Sequence, residues 1–272
     1  RIIVGSNNPN SNKQVHIYNF YKLFTKKIIK MNFESAEIAK ISINLILIAN
    51  VSVANEIGSI CENINANWSD IFNALVLDKR IGKYAYIKTG LGLSGGNLER
   101  DLYNSINICK NNSISDNFFQ SMLLSSDNNK KWALNKFQLL SRKLPRKSKI
   151  GVLGISYKEN TDSVKNSPAL EILKYNSFKN IYCYDPMADF SMVKYNFKKV
   201  KNYISVIDNC DLLIILNRSN VFKKITLSIL LKHMKGNIII DPFNVLYKLN
   251  LNKNGFRYFS KGNSIYDLKK KN

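Results

Sequence analysis

Four short apolar runs in the second half of the chain constrain its fold most strongly. Each run is rich in β-branched or other apolar residues, and helical patterns separate one run from the next. The runs are Ile150 to Ile155, Ile181 to Tyr184, Leu212 to Leu216 and Ile238 to Ile240. Strands that alternate with helices predict a parallel sheet with helices on its faces. From Lys149 onward, the chain is therefore predicted to fold as an α/β domain.

Helical patterns dominate the first half of the chain. Residues 1 to about 30 indicate one strand, an Asn-rich turn and a helix through Val15 to Ile29. A long helix is predicted from Glu34 to about Asn63, and another starts near Ser69, with Asn67 and Ser69 as candidate caps. The predicted domains are residues 1–30, 31–140 and 141–272, and the basic segment Ser141 to Ser148 forms the last boundary.

The net charge of +22 raises nucleic acid as a partner, because clustered Lys and Arg side chains neutralise phosphates. Here the lysines are scattered along the chain and accompany abundant Asn and Ile, which indicates a general compositional bias. The sequence shows no helix-turn-helix, zinc-finger or aromatic RNA-binding pattern. We therefore expect no nucleic acid among the partners.

Cysteine spacing and apolar run length bear on metals, disulfides and location. Cys61, Cys109, Cys183 and Cys210 form no C-x-x-C pair, so neither a metal site nor a disulfide framework is indicated. Reduced, mostly buried thiols in a cytoplasmic protein are expected instead.

The apolar stretch Ile41 to Ile57 is shorter than the roughly 20 residues that span a bilayer, which predicts a buried helix and no membrane partner.

The long predicted helix carries a polar stripe. Glu37, Lys40, Asn44 and Asn55 fall within an arc of roughly 60° when successive residues turn by about 100°. A solvated helix face would look the same. Lys40 and Asn44 are also four residues apart, so their side chains project side by side and could stabilise a developing oxyanion.

A glycine-rich loop follows, from Gly90 to Asp101. Four glycines within seven positions allow the backbone to approach a bound molecule closely and to adopt positive φ. A purely structural turn has the same composition, so the loop alone leaves both interpretations open.

In their order along the chain, these segments resemble the UDP-glucose/GDP-mannose dehydrogenase family of nucleotide-sugar dehydrogenases. The matching motifs are Glu37-Ile-Ala-Lys40-x-x-x-Asn44 with Asn55-Glu56, Asp78-Lys-Arg80-Ile-Gly82, the loop Gly90 to Asp101, and Leu153 to Ala169. The last motif is the most specific one, because so many identities are consecutive. The resemblance covers nearly the whole chain.

The resemblance implies three domains: an N-terminal Rossmann domain for NAD, a central helical dimerisation domain and a C-terminal Rossmann-like, parallel-sheet domain for a nucleotide sugar. Arg1 to Gly5 is similar to the end of the first domain, so most of that domain is expected to be missing here. The glycine pair Gly151 and Gly154 does not match the dinucleotide fingerprint. A homodimer through the central helix is implied.

The resemblance also implies a mechanism in which a sugar alcohol is oxidised twice and NAD takes two hydrides. The position of the family's catalytic cysteine falls on Asn97, and an amide is not a nucleophile. Lys40 and Asn44 match the pair that stabilises the oxyanion and orders a water. Asp101 matches an aspartate that helps to activate water.

Substrate and cofactor residues follow from the same resemblance. Lys158 matches a lysine that faces phosphate, and Arg80 matches an arginine that reaches the sugar across the dimer. Arg100 and Lys165 match basic residues near the NAD phosphates, with Lys and Arg exchanged relative to the usual motif. The residues expected to contact substrate also include Lys88, Gly92 and Gly95. The family usually has an arginine where Phe243 stands.

Two hypotheses remain from the sequence. The first is a cytoplasmic, NAD-dependent enzyme that oxidises a UDP-sugar such as UDP-glucose toward a uronic acid for surface polysaccharide synthesis. The second is an inactive or aldehyde-stopping nucleotide-sugar-binding homologue, which Asn97 and Phe243 favour. The first oxidation needs no thiol, so the sequence is compatible with both.

Overall fold

The computed structural model describes residues 1–11, 15–94, 96–175 and 178–264. The helices are α1 (Val15–Lys22), α2 (Phe33–Ile64), α3 (Trp68–Leu77), α4 (Asn97–Asn111), α5 (Asn117–Lys130), α6 (Trp132–Ser141), α7 (Pro168–Lys174), α8 (Tyr203–Ile207) and α9 (Leu227–His233). The strands are β1 (Ile2–Gly5), β2 (Ile28–Met31), β3 (Lys149–Leu153), β4 (Asn180–Tyr184), β5 (Lys198–Lys199), β6 (Leu212–Ile215), β7 (Ile238–Ile240) and β8 (Arg257–Phe259). The chain divides into two compact units, residues 1–47 and 48–272.

The first unit begins with a strand, a helix and a second strand. β1 and β2 pair in parallel, with Ile2 opposite Ile28. The prediction of one helix through Ile29 is therefore wrong, because α1 ends at Lys22. The β-branched residues Ile28 and Ile29 form backbone hydrogen bonds of a sheet instead of extending the helix.

Helix α2 is 32 residues long, which confirms the predicted helix within one residue at each end. Helix α2 is long and apolar enough to cross a membrane, and only 17% of its most apolar 18-residue window is buried within the chain. The expectation of a buried helix is thus wrong for the described chain. In the second unit, Val53, Ile60 and Ile64 are 57%, 54% and 66% exposed.

The main sheet of the second unit has six strands in the order β5-β4-β3-β6-β7-β8, and every pair is parallel. The predicted α/β architecture is confirmed. In chain order this is third, second, first, fourth, fifth, sixth, which is the strand order of doubly wound dinucleotide-binding folds. The central strands β3 and β6 are almost entirely buried, as expected for a parallel sheet covered on both faces.

Two apolar clusters lie on opposite faces of this sheet. Alternate strand residues belong to different clusters: Val152 and Ile214 pack on one side, and Leu153 and Leu213 pack on the other. Helices α6 and α7 contribute to the first cluster, and α8 and α9 contribute to the second. The sheet therefore lies between two packed layers, and its loops extend from the carboxyl edge.

The two outer strands were not predicted. β5 consists of two exposed lysines, and β8 has three residues, beginning with Arg257. Neither segment shows the alternating apolar pattern that identifies a strand. Short, charged outer strands also protect a sheet edge from pairing with other chains.

The four cysteines are buried and form no disulfide in the structure. Burial raises the pKa of the Cys183 thiol and raises the pKa of Cys210 to about 12. These thiols are therefore poor nucleophiles at neutral pH.

Candidate functional site

The strand order reverses between β3 and β6, and ligands of such sheets bind at the carboxyl ends of the strands next to this switch point. The segments that leave the sheet there are Gly154 to Lys158 after β3, Leu216 to Ser219 after β6, and Asp241 to Asn244 after β7. The glycine loop reaches the same edge, because Ser94 Oγ donates to the Tyr157 carbonyl at 3.2 Å.

A cavity of about 780 Å³ opens beside this edge, between α3 and the loops after β6 and β7. Its basic lining residues are Lys88, Arg218, Lys223 and Lys248. Its aromatic lining residues are Trp68, Phe72, Phe243 and Tyr247. Among the described residues, no Asp or Glu lines this cavity. A basic cavity with flat apolar walls suits an anion attached to a ring system.

Arg218 has the most constrained position among the cavity cations. Its guanidinium lies 5.0 Å from the centroid of the Phe243 ring, and Nη2 donates to the Thr89 carbonyl at 2.7 Å. Burial lowers the pKa of Arg218, and the charges of Glu159, Tyr86 and Asp241 oppose this effect. Arginine nevertheless remains protonated at any physiological pH.

Asn55 connects α2 to the start of the glycine loop. Its side chain is 1% exposed, and Oδ1 accepts the Gly90 N–H at 2.8 Å. Gly90 also lies against Phe243, since a Cβ at residue 90 would come within 3.0 Å of that ring. The interpretation of Asn55 as part of a solvated face is thus wrong, because the glycine loop covers it.

The next part of the loop depends on glycine. Gly92 has φ +68°, and a Cβ there would overlap the Ser126 carbonyl oxygen on α5. Ser126 Oγ accepts the Leu93 N–H at 2.9 Å, which ties the loop to the helical region. Gly95, also expected to contact substrate, lies outside the described residues.

The letters from Gly90 to Gly95 have the spacing G-x-G-x-x-G, which sequence reasoning overlooked. A dinucleotide fingerprint requires a strand directly before the first glycine. In the described part of the chain, residues 78–94 contain no strand. The spacing is therefore incidental.

A buried lysine lies behind the cavity. Lys261 is 3% exposed, its Nζ donates to Ser59 Oγ at 2.7 Å, and Glu62 Oε1 lies 3.6 Å away. The Lys261 carbonyl accepts from Thr89 Oγ1 at 3.3 Å and from Asn244 Nδ2 at 3.1 Å. Lys261 thus holds the segment that carries Thr89 beside the loop after β7. Sequence reasoning missed it, because an isolated lysine near a chain end gives no sequence signal.

A buried carboxylate organises the loops at the switch point. Asp185, directly after β4, accepts the Ile155 and Ser156 N–H groups through Oδ2 and the Met187 and Ala188 N–H groups through Oδ1. Burial acts to raise the pKa of Asp185, but these hydrogen bonds outweigh it and hold the pKa below its usual value. Asn217 Nδ2 also donates to it at 3.0 Å.

The residues predicted to carry catalysis occupy both compact units. Asn97 is the first residue of α4 and is exposed, and Asp101 is 1% exposed one turn later. Lys40 and Asn44 lie four residues apart on α2 in the first unit, where Lys40 is exposed and Asn44 is half-buried. Their catalytic roles remain predictions.

Other predicted binding residues lie around the cavity or outside it. Lys88 lines the cavity. Lys158 is exposed with Nζ 5.4 Å from the Tyr157 ring centroid, outside the cavity lining. Arg80 forms an ion pair with Asp78 at 2.7 Å within its own turn.

The two residues predicted to contact NAD phosphates are both accessible. Arg100 is 56% exposed and donates Nε to Asp101 Oδ1 at 3.1 Å. Lys165 is exposed in the loop before α7. Arg218 and Lys223 were not singled out from the sequence, although both follow the apolar run of β6, where parallel sheets place functional residues.

Comparison with protein families gives two matches in this order along the chain. Residues 34–128 match the central domain of the UDP-glucose/GDP-mannose dehydrogenase family. Residues 151–248 match the UDP binding domain of the same family. Together the two matches cover more than half of the chain.

Similar curated proteins include the UDP-glucose 6-dehydrogenase of Rickettsia bellii, which is 29% identical over 97% of this chain and 62% of its own length. The UDP-glucose 6-dehydrogenase TuaD of Bacillus subtilis is 26% identical over 96% of this chain and 57% of its own. The chain thus spans less than two thirds of these relatives.

Solved structures share the fold. A UDP-glucose dehydrogenase from Pyrobaculum islandicum superposes with a TM-score of 0.79 at 22% identity, over 94% of this chain and 57% of that one. A UDP-D-ManNAc dehydrogenase from Pyrococcus horikoshii gives 0.77 at 24% identity, over 96% of this chain and 59% of that one.

Proposed function

Because this chain belongs to the UDP-glucose/GDP-mannose dehydrogenase family, we propose that it takes part in the NAD-dependent oxidation of a UDP-sugar toward a uronic acid. The observation that carries the proposal is the basic cavity at the carboxyl edge of the doubly wound sheet. Four cations and an absence of carboxylates among its described lining residues favour a diphosphate. Its aromatic walls favour a base or a sugar ring.

The proposed chemistry uses the chain's own residues for positioning and charge stabilisation. Lys40 and Asn44 would stabilise the oxyanion that develops when the sugar alcohol loses its proton. The buried Asp101 carboxylate, which pairs with Arg100, would help to activate a water. Asn97 cannot form a covalent adduct, so the second oxidation would proceed through a hydrated aldehyde.

NAD would supply the hydride acceptor, as it does for this family. In the described chain, Arg100 and Lys165 are the residues proposed for its phosphates. Both side chains are accessible from solvent, and an arginine with a lysine suits a diphosphate. The glycine loop would contribute Gly92 and Gly95, and Lys88 and Lys158 would serve the substrate phosphates.

We propose that the protein forms a homodimer in the cytoplasm. The exposed residues Val53, Ile60 and Ile64 on α2 provide an apolar face for a second copy, and Arg80 would reach the sugar across that dimer. Free cysteines fit a reducing compartment. A nucleotide-linked uronic acid is an activated building block, which suits surface polysaccharide synthesis.

Asn97 and Phe243 support a second candidate function. An amide at residue 97 removes the nucleophile, and an aromatic ring at residue 243 removes an expected charge. A homologue that binds nucleotide sugars without oxidising them would retain the cavity and lose the chemistry.

The deciding experiment measures NADH formation by the protein with UDP- and GDP-sugars, and identifies the products by mass. Two NADH per sugar and a uronic acid would support the enzyme and show that Asn97 permits the second oxidation. One NADH and an aldehyde would support an enzyme that stops halfway. Retained UDP-sugar binding without NADH would overturn the enzyme and support the binding homologue.

A further inference from the structure

We infer that Arg218 is the residue of the cavity that binds the phosphate of the ligand, and that Phe243 is the platform that holds its guanidinium in place. This inference rests on the proposed function and names the group that recognises its substrate. Two features carry it: the position of the charge at the sheet edge and the absence of Asp and Glu from the described lining of the cavity.

Strand register brings Arg218 and Phe243 together. β6 and β7 are neighbours, and Ile214 pairs with Ile240. Arg218 follows Ile214 by four residues and Phe243 follows Ile240 by three, so both leave the same edge of the sheet. The guanidinium consequently lies 5.0 Å from the ring centroid, within the range of a cation–π interaction.

The guanidinium lines a cavity that has no acidic side chain among its described lining residues. Its Nη2 donates to the Thr89 carbonyl at 2.7 Å, and the charges of Glu159 and Asp241 that act on it come from residues outside the cavity lining. A guanidinium has five N–H donors, so most of them remain available to a ligand. A half-buried cation whose cavity offers no carboxylate favours an anion in that cavity.

The lysines of the cavity do not share this arrangement. Lys88, Lys223 and Lys248 are exposed side chains, which water solvates well. Arg218 alone among these four cations is half-buried against an aromatic ring. Its planar donor array also matches two phosphate oxygens at once, which an ammonium cannot do.

The strand register makes positions 218 and 243 alternative sources of a guanidinium for the cavity. A side chain after β6 and one after β7 enter the same space, so an arginine at either position delivers a guanidinium there.

The test compares the binding of UDP and of pyrophosphate by calorimetry. Arg218→Met removes the charge and keeps much of the chain length, so we expect about ten- to hundredfold weaker binding of both probes. Lys224→Met is the matched control, because Lys224 is exposed nearby and does not line the cavity. Its binding should stay within about twofold of wild type.

Two further variants distinguish loss of the phosphate contact from misfolding of the protein. Arg218→Met/Phe243→Arg returns the guanidinium from the other strand, and we expect it to recover most of the lost affinity. Arg218→Lys keeps one charge without the paired donors, so it should bind more weakly than wild type and more tightly than Arg218→Met.

The outcomes separate this inference from the proposed function. Unchanged UDP and pyrophosphate binding in Arg218→Met would overturn the inference and leave the function intact. Equal losses in Arg218→Met and Lys224→Met, or no recovery in the double variant, would also overturn it. A third outcome is possible: wild type binds pyrophosphate but not UDP, and Arg218→Met loses the binding of pyrophosphate. That result would support the phosphate site and overturn the UDP-sugar function.

Discussion

At the scale of single residues, backbone conformation and nearby atoms decide which positions require glycine. Gly92 and Gly82 both have positive φ, +68° and +77°. They differ in their surroundings: a Cβ at residue 92 would overlap Ser126, whereas a Cβ at residue 82 would have nothing within 4 Å. The two positions therefore separate conformational strain from steric overlap.

Gly92→Ala should destabilise the protein more than Gly82→Ala. Alanine in the left-handed region costs about 1 kcal/mol, which we expect for Gly82→Ala. Overlap with the Ser126 backbone adds to that cost, so Gly92→Ala should lose about 3 kcal/mol. Urea denaturation of both variants checks the difference, and equal losses would mean that the loop relaxes around the added methyl group.

Single residues also show how far sequence reasoning reached into the site. Asn97 and Asp101 were predicted from the contiguous pattern of the glycine loop, and their catalytic roles stay predictions. Arg218, Phe243 and Thr89 are far apart in the chain, and their contact depends on the pairing of β6 with β7. A contact between residues from separate strands has no local sequence pattern.

At the scale of elements, Asp185 holds three loops together. Its carboxylate follows β4 and bonds to the loop after β3 and to Asn217 after β6. Helix α7 starts at the end of the loop after β3, where Ser167 caps it and Pro168 takes its first position. The switch point is thus stabilised by a buried charge rather than by apolar packing alone.

Asp185→Asn should destabilise the protein by about 3 kcal/mol near neutral pH, because backbone N–H groups lose an acceptor at about 1–3 kcal/mol each. The pKa of Asp185 in the fold is below its unfolded value of about 3.9. The carboxylate therefore contributes its full stability above about pH 4, and this contribution is lost as the pH falls through the folded pKa.

Urea denaturation at about pH 6 and about pH 3 measures this effect. The stability difference between wild type and Asp185→Asn should shrink at the lower pH. Asp162→Asn is the control, since Asp162 is an exposed carboxylate in the loop after β3 and should change little at either pH. A pH-independent difference for Asp185→Asn would rule out the charged form as the cause.

At the scale of the whole molecule, the apolar surface of α2 predicts self-association. Val53, Ile60 and Ile64 are each more than half exposed, and they lie on one helix at spacings of seven and four residues. Such spacing forms one stripe on a helix. A contiguous exposed stripe of this kind marks an interface.

The chain should sediment as a dimer of about twice 31.2 kDa, and Val53→Glu/Ile60→Glu should sediment as a monomer. Burying two carboxylates in an apolar interface is unfavourable, whereas the separate chain leaves them in water. Leu231→Glu, at a 59% exposed position on α9, is the control and should remain a dimer. A monomeric wild type that binds lipid vesicles would contradict the dimer and assign the stripe to a membrane.

The sequence by itself determined the α/β class, four of the six strands of the main sheet, the long helix and the family motifs. All of these depend on local patterns: apolar periodicity, glycine content and consecutive identities. It was inaccurate where local preference competed with pairing, as at Ile28 and Ile29, which join a strand rather than α1.

Tertiary structure alone decided which residues form the cavity. Strand order places the loop after β6 next to the loop after β7, so Arg218 meets Phe243 and Thr89. It also buries Asn55 beneath the glycine loop and encloses Lys261 beside Glu62. These contacts join residues that are distant in the chain, and their energies depend on burial and register, which only the folded sheet and its loops create.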